Sequence, residues 1–474
     1  MKKTIAALFA VILAAAAPLA ASAEEWNTMG PRAMGMGGAG VAVSQGPLAS
    51  YWNPAALGRA TENSYGFSAP FSVHAALTGP AIAGANDLKN AKNACSANDP
   101  TCQSQINIAL AELNNPTNGL RVDASAAGDF KIGKIAVFAN DFLYAGAVPR
   151  IDNTPAHTNQ AGIQNNNSAL IVKGATIWEL GAGYGHELPF APGVFVGGNL
   201  KLMRAQVGYT SYGIVNNSND TSNIVSNLKN GAATSSNFGV DAGALWDVNK
   251  TLDGAWWSPR VGVTGRNLNN PKFTEPAAAA ADGVGGRYAV NPQARFGLAI
   301  SPLHWWNIAA DLDLTRNLTP VDGVASRQLD LGTEVNVFNR SWINIPIRFG
   351  FARNLAAATN MVTVGGGLNF LHVMLDVSGE ASPNRVQTQT QGNSKKLPQE
   401  LGASVSLSIL FGGSEDERPS RSKQDDQVVP SQKAPAKASN EPTPSQVDQT
   451  KANAAQSQKE LDQTKTPTYA PSGK

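Results

Sequence analysis

Beyond its N-terminal region the sequence lacks any long apolar run, and it is poor in charge, cysteine and histidine. After residue 23, no segment approaches the roughly 20 consecutive apolar residues that a transmembrane helix requires. The formal net charge is only +2 and basic tracts are absent, which argues against nucleic acid as a partner. The five histidines are scattered and the two cysteines lack a second pair, so we expect no metal site and no cofactor.

Catalytic constellations are also missing from the sequence. No Ser/His or Cys/His arrangement typical of hydrolases is visible. The stretch GMGGAG, residues 35–40, has the spacing of a dinucleotide-binding loop, but that loop needs a strand before it and a helix after it, and neither pattern is present. Another backbone requirement must explain these glycines, and we predict that the protein is not an enzyme.

The first 23 residues have the pattern of a secretory signal peptide. Lys2 and Lys3 precede an apolar run over residues 5–17, and an Ala-Ser-Ala cleavage signal occupies residues 21–23. The mature chain is expected to begin near Glu24, in an oxidising compartment. Dinucleotide cofactors are cytosolic, so export argues against the dinucleotide-binding site that the glycine spacing alone suggested.

Both cysteines lie in the long polar stretch 73–120. Because the compartment is oxidising, we predict a local disulfide between Cys95 and Cys102, the alternative being two free thiols. Three apolar residues nearby have helical spacing and are expected either to form a lid over a ligand or to pack against neighbouring loops. They are Ile106, Leu110 and Leu113.

From residue 61 to residue 411 the dominant hydrophobic period is two. In the segment 304–317, for example, Ile308 and Leu312 alternate with Asp311 and Asp313. Such segments are strands with one apolar and one charged face. The predicted strands are 62–72, 121–130, 134–144, 175–187, 193–208, 236–248, 259–268, 293–301, 304–316, 327–338, 342–353, 361–369, 371–380 and 399–411.

The connections between these strands alternate in length. Long polar connections such as 73–120 and 209–235 follow odd-numbered strands, and short turns such as 131–134 and 338–341 follow even-numbered ones. A soluble sandwich could share the alternation, but long loops at one end and short turns at the other fit a bacterial outer-membrane barrel. Aromatic residues also gather at the short-turn end, where a headgroup-level girdle is expected: Trp256, Trp257, Trp305, Trp306, Phe338, Trp342, Phe370 and Phe411.

We therefore predict an all-β fold, a transmembrane antiparallel β-barrel of about 14 strands over residues 62–411. Such a barrel encloses more space than its strand side chains fill. Residues 24–61 are predicted to fill it as a hatch, or plug, the alternative being a flexible linker. Asn53-Pro54 predicts a capped helical turn there. The predicted hatch residues are Gly35, Gly37, Gly38, Gly40, Trp52, Asn53 and Pro54.

If the apolar faces meet lipid, the opposite faces point into the lumen and carry charges of both signs. We expect opposite charges on neighbouring strands to neutralise each other and to hold the hatch, whereas the rival interpretation is acid–base chemistry by Asp311 and Asp313. The predicted lumen charge network comprises Glu179, Lys201, Asp241, Arg266, Arg295, Asp311, Asp313, Asp330, Glu334, Arg348 and Asp376.

The end of the barrel pattern is an amphipathic strand that finishes at Phe411. A strand of this kind with a terminal aromatic residue resembles the signal read by the outer-membrane barrel assembly machinery, which is therefore an expected partner. Residues 412–474 are rich in Pro, Ser, Gln, Lys and Asp, with Tyr469 as the sole aromatic. This composition cannot bury a core, and it predicts a disordered periplasmic tail.

Two stretches of sequence resemble known families. Residues 31–57, PRAMGMGGAGVAVSQGPLASYWNPAAL, resemble the N-terminal signature of the FadL/TodX superfamily. The runs VGVTGRNLNNPKF at 261–273, NPQARFGLAISPLHWWNIAADLDLTRN at 291–317 and IRFGFARNL at 347–355 are similar to the TraF-type barrel family, named after the F-plasmid transfer operon. This second resemblance covers most of residues 24–411.

The superfamily resemblance implies a fourteen-stranded outer-membrane barrel that imports fatty acids or hydrocarbons, with its N-terminal segment as a hatch. The Asn-Pro-Ala element of that signature corresponds to Asn53, Pro54 and Ala55, whereas no loop motif matches ligand-contacting residues of the fatty-acid transporters. We expect a hatch-gated passive channel for small molecules, hydrophobic ones included, in contact with outer-membrane lipid. The alternatives are a non-catalytic scaffold in a conjugative transfer or surface apparatus, with a periplasmic partner for the tail, and an outer-membrane hydrolase.

Overall fold

The computed structural model describes residues 23–59, 65–79, 84, 87–88, 100–114, 118–158, 165–214, 224–252, 256–284, 286–318, 325–340, 342–390 and 393–411. The predicted tail, Cys95 and residues 1–22 of the predicted signal peptide lie outside them. The predictions of a signal peptide, a periplasmic tail and a disulfide between Cys95 and Cys102 therefore stay predictions.

Fourteen strands of the described chain close into one antiparallel barrel, with the strand order β11-β12-β15-β16-β17-β18-β21-β2-β3-β4-β5-β6-β7-β8. In chain order the strands are β1 (Ala23–Glu24), β2 (Tyr65–Thr78), β3 (Gly119–Ile132), β4 (Ile135–Arg150), β5 (Ala169–Glu187), β6 (Val194–Gly213), β7 (Ala233–Asp247), β8 (Arg260–Arg266), β9 (Lys272–Thr274), β10 (Arg287–Ala289), β11 (Gln293–Leu303), β12 (Trp306–Asp313), β13 (Asn317–Leu318), β14 (Ala325–Ser326), β15 (Gln328–Asn339), β16 (Ile343–Asn354), β17 (Thr359–Phe370), β18 (Val373–Ala381), β19 (Arg385–Thr390), β20 (Asn393–Pro398) and β21 (Glu400–Phe411). The barrel closes where β2 pairs with β21, from Tyr65 opposite Phe411 to Ala76 opposite Glu400.

The helices are short or lie in the connections. They are α1 (Pro31–Gly35), α2 (Ala49–Trp52), α3 (Pro100–Leu113), α4 (Pro155–Thr158), α5 (Ile224–Asn230), α6 (Val248–Thr251) and α7 (Ala277–Ala281), together with a 3-10 helix at Pro54–Arg59. Within the described ranges, no helix combines the length and the apolar character needed to cross a bilayer.

The polarity of the barrel wall is the reverse of that of a soluble protein. On β15 and β16, Leu331 and Phe349 point outward with about half of their surface exposed, whereas Glu334 and Arg348 are buried in the lumen. Glu334 and Arg348 lie directly opposite each other in the ladder. Because successive side chains on a strand alternate between faces, a one-residue slip would place these charges in lipid, which specifies the register strongly.

The predicted fold class is confirmed, and all fourteen predicted barrel strands appear in the predicted order. The strands are longer than predicted at the end of the long connections. There β2 continues to Thr78, β4 to Arg150 and β6 to Gly213. These extensions are rich in small and polar residues that carry no alternation between an apolar and a polar face, which is why the sequence pattern stopped short of them.

The predicted aromatic girdle lies on the outer surface near the short-turn end. Trp256, Trp342 and Phe411, for example, are each more than half exposed. An aromatic ring with one apolar and one polar side is suited to the boundary between hydrocarbon and headgroups. The outer surface therefore has the layered polarity of a membrane-spanning barrel.

Helix α3 lies in the long connection between β2 and β3. Its residues Ile106, Leu110 and Leu113 are buried against Ile151 and Ile214, which belong to other connections. These contacts favour the second interpretation of the helix, in which its apolar face packs against neighbouring loops.

Candidate functional site

The hatch residues 25–58 lie inside the barrel and pack against its inner wall on several sides. One apolar cluster joins hatch residues such as Tyr51 to Phe142 on β4 and Ile177 on β5. A second joins Leu57 to Phe195 on β6. A third contains Met36, Ala39, Ala42 and Val43 of the hatch with Ala299 of β11 and Ala309 of β12. The lumen at this level is filled by the chain's own N-terminal segment.

Gly37 marks the closest approach of hatch to wall. A Cβ atom built on Gly37 would lie 2.7 Å from the carbonyl oxygens of Leu331 and Phe351, and its φ of +73° is itself unfavourable for any other residue. Its backbone N–H donates to Thr363 Oγ1 at 3.0 Å. On the wall side, a Cβ on Gly350 would overlap the backbone of Gly37. Backbone meets backbone here because both partners lack a side chain.

Gly35 also packs against the wall, whereas Gly40 packs against another part of the hatch. A Cβ on Gly35 would lie 3.0 Å from Cα of Gly365, and one on Gly40 would overlap the indole ring of Trp52. Trp52 in turn donates its indole N–H to the carbonyl oxygen of Met29 at 3.0 Å. The glycine spacing in GMGGAG is therefore explained by close packing within a barrel.

Asn53 and Pro54 form the predicted capped turn, which is confirmed. Asn53 Oδ1 accepts a hydrogen bond from Ala55 N–H at 3.1 Å, and Pro54 opens the helix that follows. That helix is a 3-10 helix. The Asn53 amide also donates to the carbonyl oxygens of Val41 at 3.3 Å and Ala244 at 3.1 Å, which ties the turn to the rest of the hatch and to β7.

Glu334 lies at the centre of a buried ion network that joins the hatch to the wall. Arg32 of the hatch binds both Glu334 carboxylate oxygens, each at 2.9 Å. Arg348 donates to Glu334 at 2.7 Å and to Asp376 at 2.6 Å. Because a buried charge is stable only when it is paired, these residues stabilise one another and fix Arg32 in place.

Arg295 of β11 forms a second network, which spans β11, β12 and β15. Its guanidinium donates to Asp313 at 2.6 Å, to Asp330 at 3.1 Å and to the carbonyl oxygen of Gly38 at 3.3 Å. A Cβ on Gly38 would lie 2.7 Å from the Asp330 carboxylate. Gly38 thus lies directly against the charged groups of β11, β12 and β15.

Asp311 and Asp313, the candidate acid–base pair, have separate binding partners. Asp311 accepts hydrogen bonds from the backbone N–H groups of Gly40 at 2.7 Å and Val41 at 2.9 Å, whereas Asp313 binds Arg295. Both carboxylates are nearly inaccessible to solvent. This geometry favours the structural interpretation, in which the two side chains hold the hatch.

A third network lies on strands β5 to β8, of which β8 pairs with β11. Lys201 contacts Glu179 at 2.9 Å and Asp241 at 3.1 Å, and Arg266 contacts Glu179 at 3.2 Å. The Arg266 guanidinium also lies 4.2 Å from the ring centroid of Tyr51 in the hatch, a cation–π contact. Burial raises the pKa of the Tyr51 hydroxyl to about 12, against the opposing effect of Arg266.

A charged group near the long-connection end was not predicted. We call it the His74–Arg121 cluster, and its members are Glu25, His74, Arg121, Asp123, Glu380 and Glu400. Arg121 binds Glu25 at 2.6 Å and Asp123 at 2.7 Å. His74 Nε2 lies 3.4 Å from Glu400. Burial raises the pKa of the Glu25 carboxyl, and Arg121 opposes that rise.

The sequence did contain a signal for part of this cluster. Arg121 and Asp123 occupy alternate positions of a predicted strand and share one face with Asp129. This spacing indicates that all three charged side chains point into the lumen. Glu25 and Arg32 belong to the hatch, where no periodic pattern exists, so nothing in the sequence linked them to a strand.

The described fold is similar to several solved structures. The P. putida toluene transporter TodX matches at 14% identity over 82% of this chain and 100% of that chain, with a TM-score of 0.46. The Ralstonia pickettii toluene transporter TbuX matches at 14% identity over 81% and 98%, with a TM-score of 0.44. A Pseudomonas aeruginosa FadL homologue matches at 12% identity over 82% and 99%, with a TM-score of 0.43.

Comparison with protein families gives one match. The model described as "F plasmid transfer operon, TraF, protein" matches residues 50–313, which include the last nine residues of the hatch, 50–58, and the strands from β2 to β12. No curated protein shows a significant match.

Proposed function

The chain belongs to the family described as F plasmid transfer operon, TraF, protein, and we propose that it is a hatch-gated passive channel for small molecules in the bacterial outer membrane. In this proposal a signal peptide directs export, β21 with its terminal Phe411 is recognised for barrel assembly, and residues 412–474 lie in the periplasm. Solute crosses down its own gradient.

The observation that carries the proposal is the way in which the hatch is held. It fills the lumen of a closed barrel, yet its contacts to the wall are ion pairs, hydrogen bonds and van der Waals contacts, of which the Arg32–Glu334 pair is the strongest example. Contacts of this kind can be exchanged for contacts with water or solute, whereas the ladder hydrogen bonds of the wall cannot open in lipid without large cost. The hatch closes the lumen, but its contacts with the wall can be replaced by contacts with water or solute. This supports a channel in which movement of the hatch opens and closes the path.

Reconstituted permeability tests this proposal directly. We expect Arg32→Ala to loosen the hatch and to raise the rate at which small sugars and amino acids enter liposomes containing the purified protein. Arg353→Ala is the matched control, because Arg353 is an exposed arginine at the end of β16. If the wild-type protein and Arg32→Ala are both as impermeable as protein-free liposomes across the solute panel, the channel proposal is wrong.

The family description supports a second candidate, a scaffold in a conjugative transfer or surface apparatus. In that role residues 412–474, a hydrophilic segment of the kind that binds partners, would recruit a periplasmic protein. Removal of this segment should then abolish transfer in a mating assay while the barrel still assembles. Normal transfer by the truncated strain would exclude the role. We propose no enzymatic activity, because the Asp311 carboxylate is bonded to the hatch and the Asp313 carboxylate to Arg295 of the wall.

A further inference from the structure

A small cavity lies beside the His74–Arg121 cluster, near the long-connection end of the lumen. Its volume is about 40 Å³, and it is lined by residues of strands β2, β3, β4, β15, β16, β17, β18 and β21 together with hatch residues 25–28, Met34 and Gly37. All six members of the cluster line it. Trp26 of the hatch and Tyr144 of β4 contribute aromatic surface to the same cavity.

Negative charge predominates around this cavity. The cluster contains four carboxylates, those of Glu25, Asp123, Glu380 and Glu400, but only two groups that can carry positive charge, Arg121 and His74. Even with the His74 ring protonated, the carboxyl groups outnumber the cations by two, and Asp330 of β15 adds a fifth carboxyl group to the lining. Because burial raises the pKa of the Glu25 carboxyl, a bound cation would favour the ionised form of this group, and the ionised form would in turn favour the cation.

Several buried polar atoms around the cavity make no hydrogen bond within the described residues, among them the acceptor Asp123 Oδ1 and the donor Trp26 Nε1. Asp123 is 5% exposed, and its Oδ2 atom contacts Arg121 and His74, but its Oδ1 atom is buried and accepts no hydrogen bond. An unpaired buried carboxylate oxygen has a substantial free-energy cost, so a donor that occupied the cavity would be bound favourably.

The size of the cavity restricts the ligand. A water molecule requires roughly 10–15 Å³ of such volume, so the cavity accommodates about three non-hydrogen atoms. A bare metal ion is disfavoured, because no group of carboxylates and histidines in the described chain converges with metal-ligand geometry. A primary ammonium group fits better, since it offers three hydrogen-bond donors, one positive charge and a short apolar stem that can lie against Trp26 and Tyr144.

We propose that this cavity is a binding site for small primary amines, and that it selects cationic solutes for passage. The inference deepens the proposed channel function and rests on it. It also narrows the substrate class, because the ionic groups that line the cavity can bind a cation, whereas a hydrocarbon would displace their hydration without replacing it.

Isothermal titration calorimetry on the full chain in detergent micelles tests the site. Ethylammonium is the probe, ethanol and acetate are the neutral and anionic analogues of similar size, and choline chloride, whose head group is too large for the cavity, keeps the ionic strength constant. Saturable binding of ethylammonium alone is expected. Equal binding of acetate, or absence of ethylammonium binding, would overturn the proposal.

Two variants locate the site, and one controls for charge. Asp123→Asn and Glu380→Gln each remove one negative charge from the cavity wall, and each should weaken ethylammonium binding by about tenfold, the loss expected for a charge-assisted hydrogen bond. Glu187→Gln removes a half-buried charge at the short-turn end, outside the cavity lining, and should leave binding unchanged. Equal effects of all three variants would show nonspecific attraction and would contradict the site.

Flux measurements separate this inference from the channel proposal. If Arg32→Ala liposomes conduct sugars but ethylammonium does not bind, the channel proposal stands and the amine site fails. If ethylammonium binds with the expected variant pattern but no solute crosses, the site stands and the channel proposal fails.

Discussion

Single residues decide how closely the hatch approaches the wall of this barrel. At Gly37 the backbone lies against the carbonyl oxygens of two strands, and at Glu334 one carboxylate binds arginines from both the hatch and the wall. Both contacts are made to strands that are hydrogen-bonded to a neighbouring strand on each side. The backbone of these strands is therefore restrained more strongly than that of the hatch. A substitution at either position must therefore be accommodated by the hatch.

Gly37→Ala is expected to displace the hatch. The added Cβ would overlap the wall, and the positive φ adds roughly 1–2 kcal/mol of strain for an L-residue. Limited proteolysis should cleave the hatch of this variant faster than that of the wild type, and Gly37→Val should also change solute permeability. Gly46→Ala is the matched control, since Gly46 also has a positive φ of +66° but has no atom within 4 Å of a built Cβ. Equal cleavage of both variants would attribute the effect to strain alone.

Glu334→Gln is expected to destabilise the protein by about 2–3 kcal/mol, because the buried Arg348 then keeps only Asp376 as a counter-charge and the partly exposed Arg32 loses its carboxylate partner. Denaturant unfolding in micelles, followed by tryptophan fluorescence, measures this change. Glu187→Gln breaks an exposed pair with Lys250 and should cost less than about 1 kcal/mol. A Glu334→Gln protein as stable as this control would show that the network contributes no net stability.

At the scale of elements, the barrel strands could be predicted from sequence because lipid and lumen impose opposite chemistry on alternate residues. That contrast is present along β15 and β16, where Leu331 and Phe349 alternate with Glu334 and Arg348. The hatch has no such alternation of apolar and charged residues. Helix α1 and the ion pair of Arg32 could therefore not be predicted from the sequence. Short strands such as β13 and β14 lie in the connections, where the contrast between lipid and lumen does not act.

The connection between β4 and β5 is held by Asp152. Its carboxylate accepts hydrogen bonds from the backbone N–H groups of Thr154 and Asn167, both at 3.0 Å, and lies 2.8 Å from His157 Nδ1. Hydrogen bonds, with Thr154 first among the donors, hold the pKa of the Asp152 carboxyl well below its usual range. Because the folded pKa is lowered, this stabilisation is complete above the unfolded value of about 3.9 and is lost as the pH falls through the folded value.

Hydrogen exchange of this connection should therefore be constant from neutral pH down to about pH 4, after correction for intrinsic rates, and should accelerate below it. In Asp152→Asn the connection should exchange faster at neutral pH and should show no further acid-induced opening. Acid opening of the same size in both proteins would assign the effect to another group.

At the scale of the whole molecule, an apolar outer surface surrounds a polar and ionic interior. The fold is complete at Phe411, since β21 pairs with β18 on one side and with β2 on the other. Barrel closure therefore depends on residues 400–411 and not on the segment that follows them.

Truncation after Phe411 should leave the barrel folded, whereas truncation after residue 399 should prevent closure, because β2 and β18 would then present unpaired edges to lipid. Heat-modifiable mobility in detergent gels distinguishes the two outcomes. Loss of the folded band in the protein truncated after Phe411 would show that residues 412–474 are needed for closure.

The pairing of β1 with β13 has a consequence for how anything crosses this molecule. β1 lies at the long-connection end, where Ala23 and Glu24 pair with Asn317 and Leu318, and the 3-10 helix at the other end of the hatch contacts the short-turn end of β5 and β6. Once the predicted signal peptide is removed, the hatch keeps only Glu24 of this pairing at its free end, whereas its other end continues into β2. The two ends are therefore held unequally, and we expect any route past the hatch to open first at the long-connection end, where its free terminus lies.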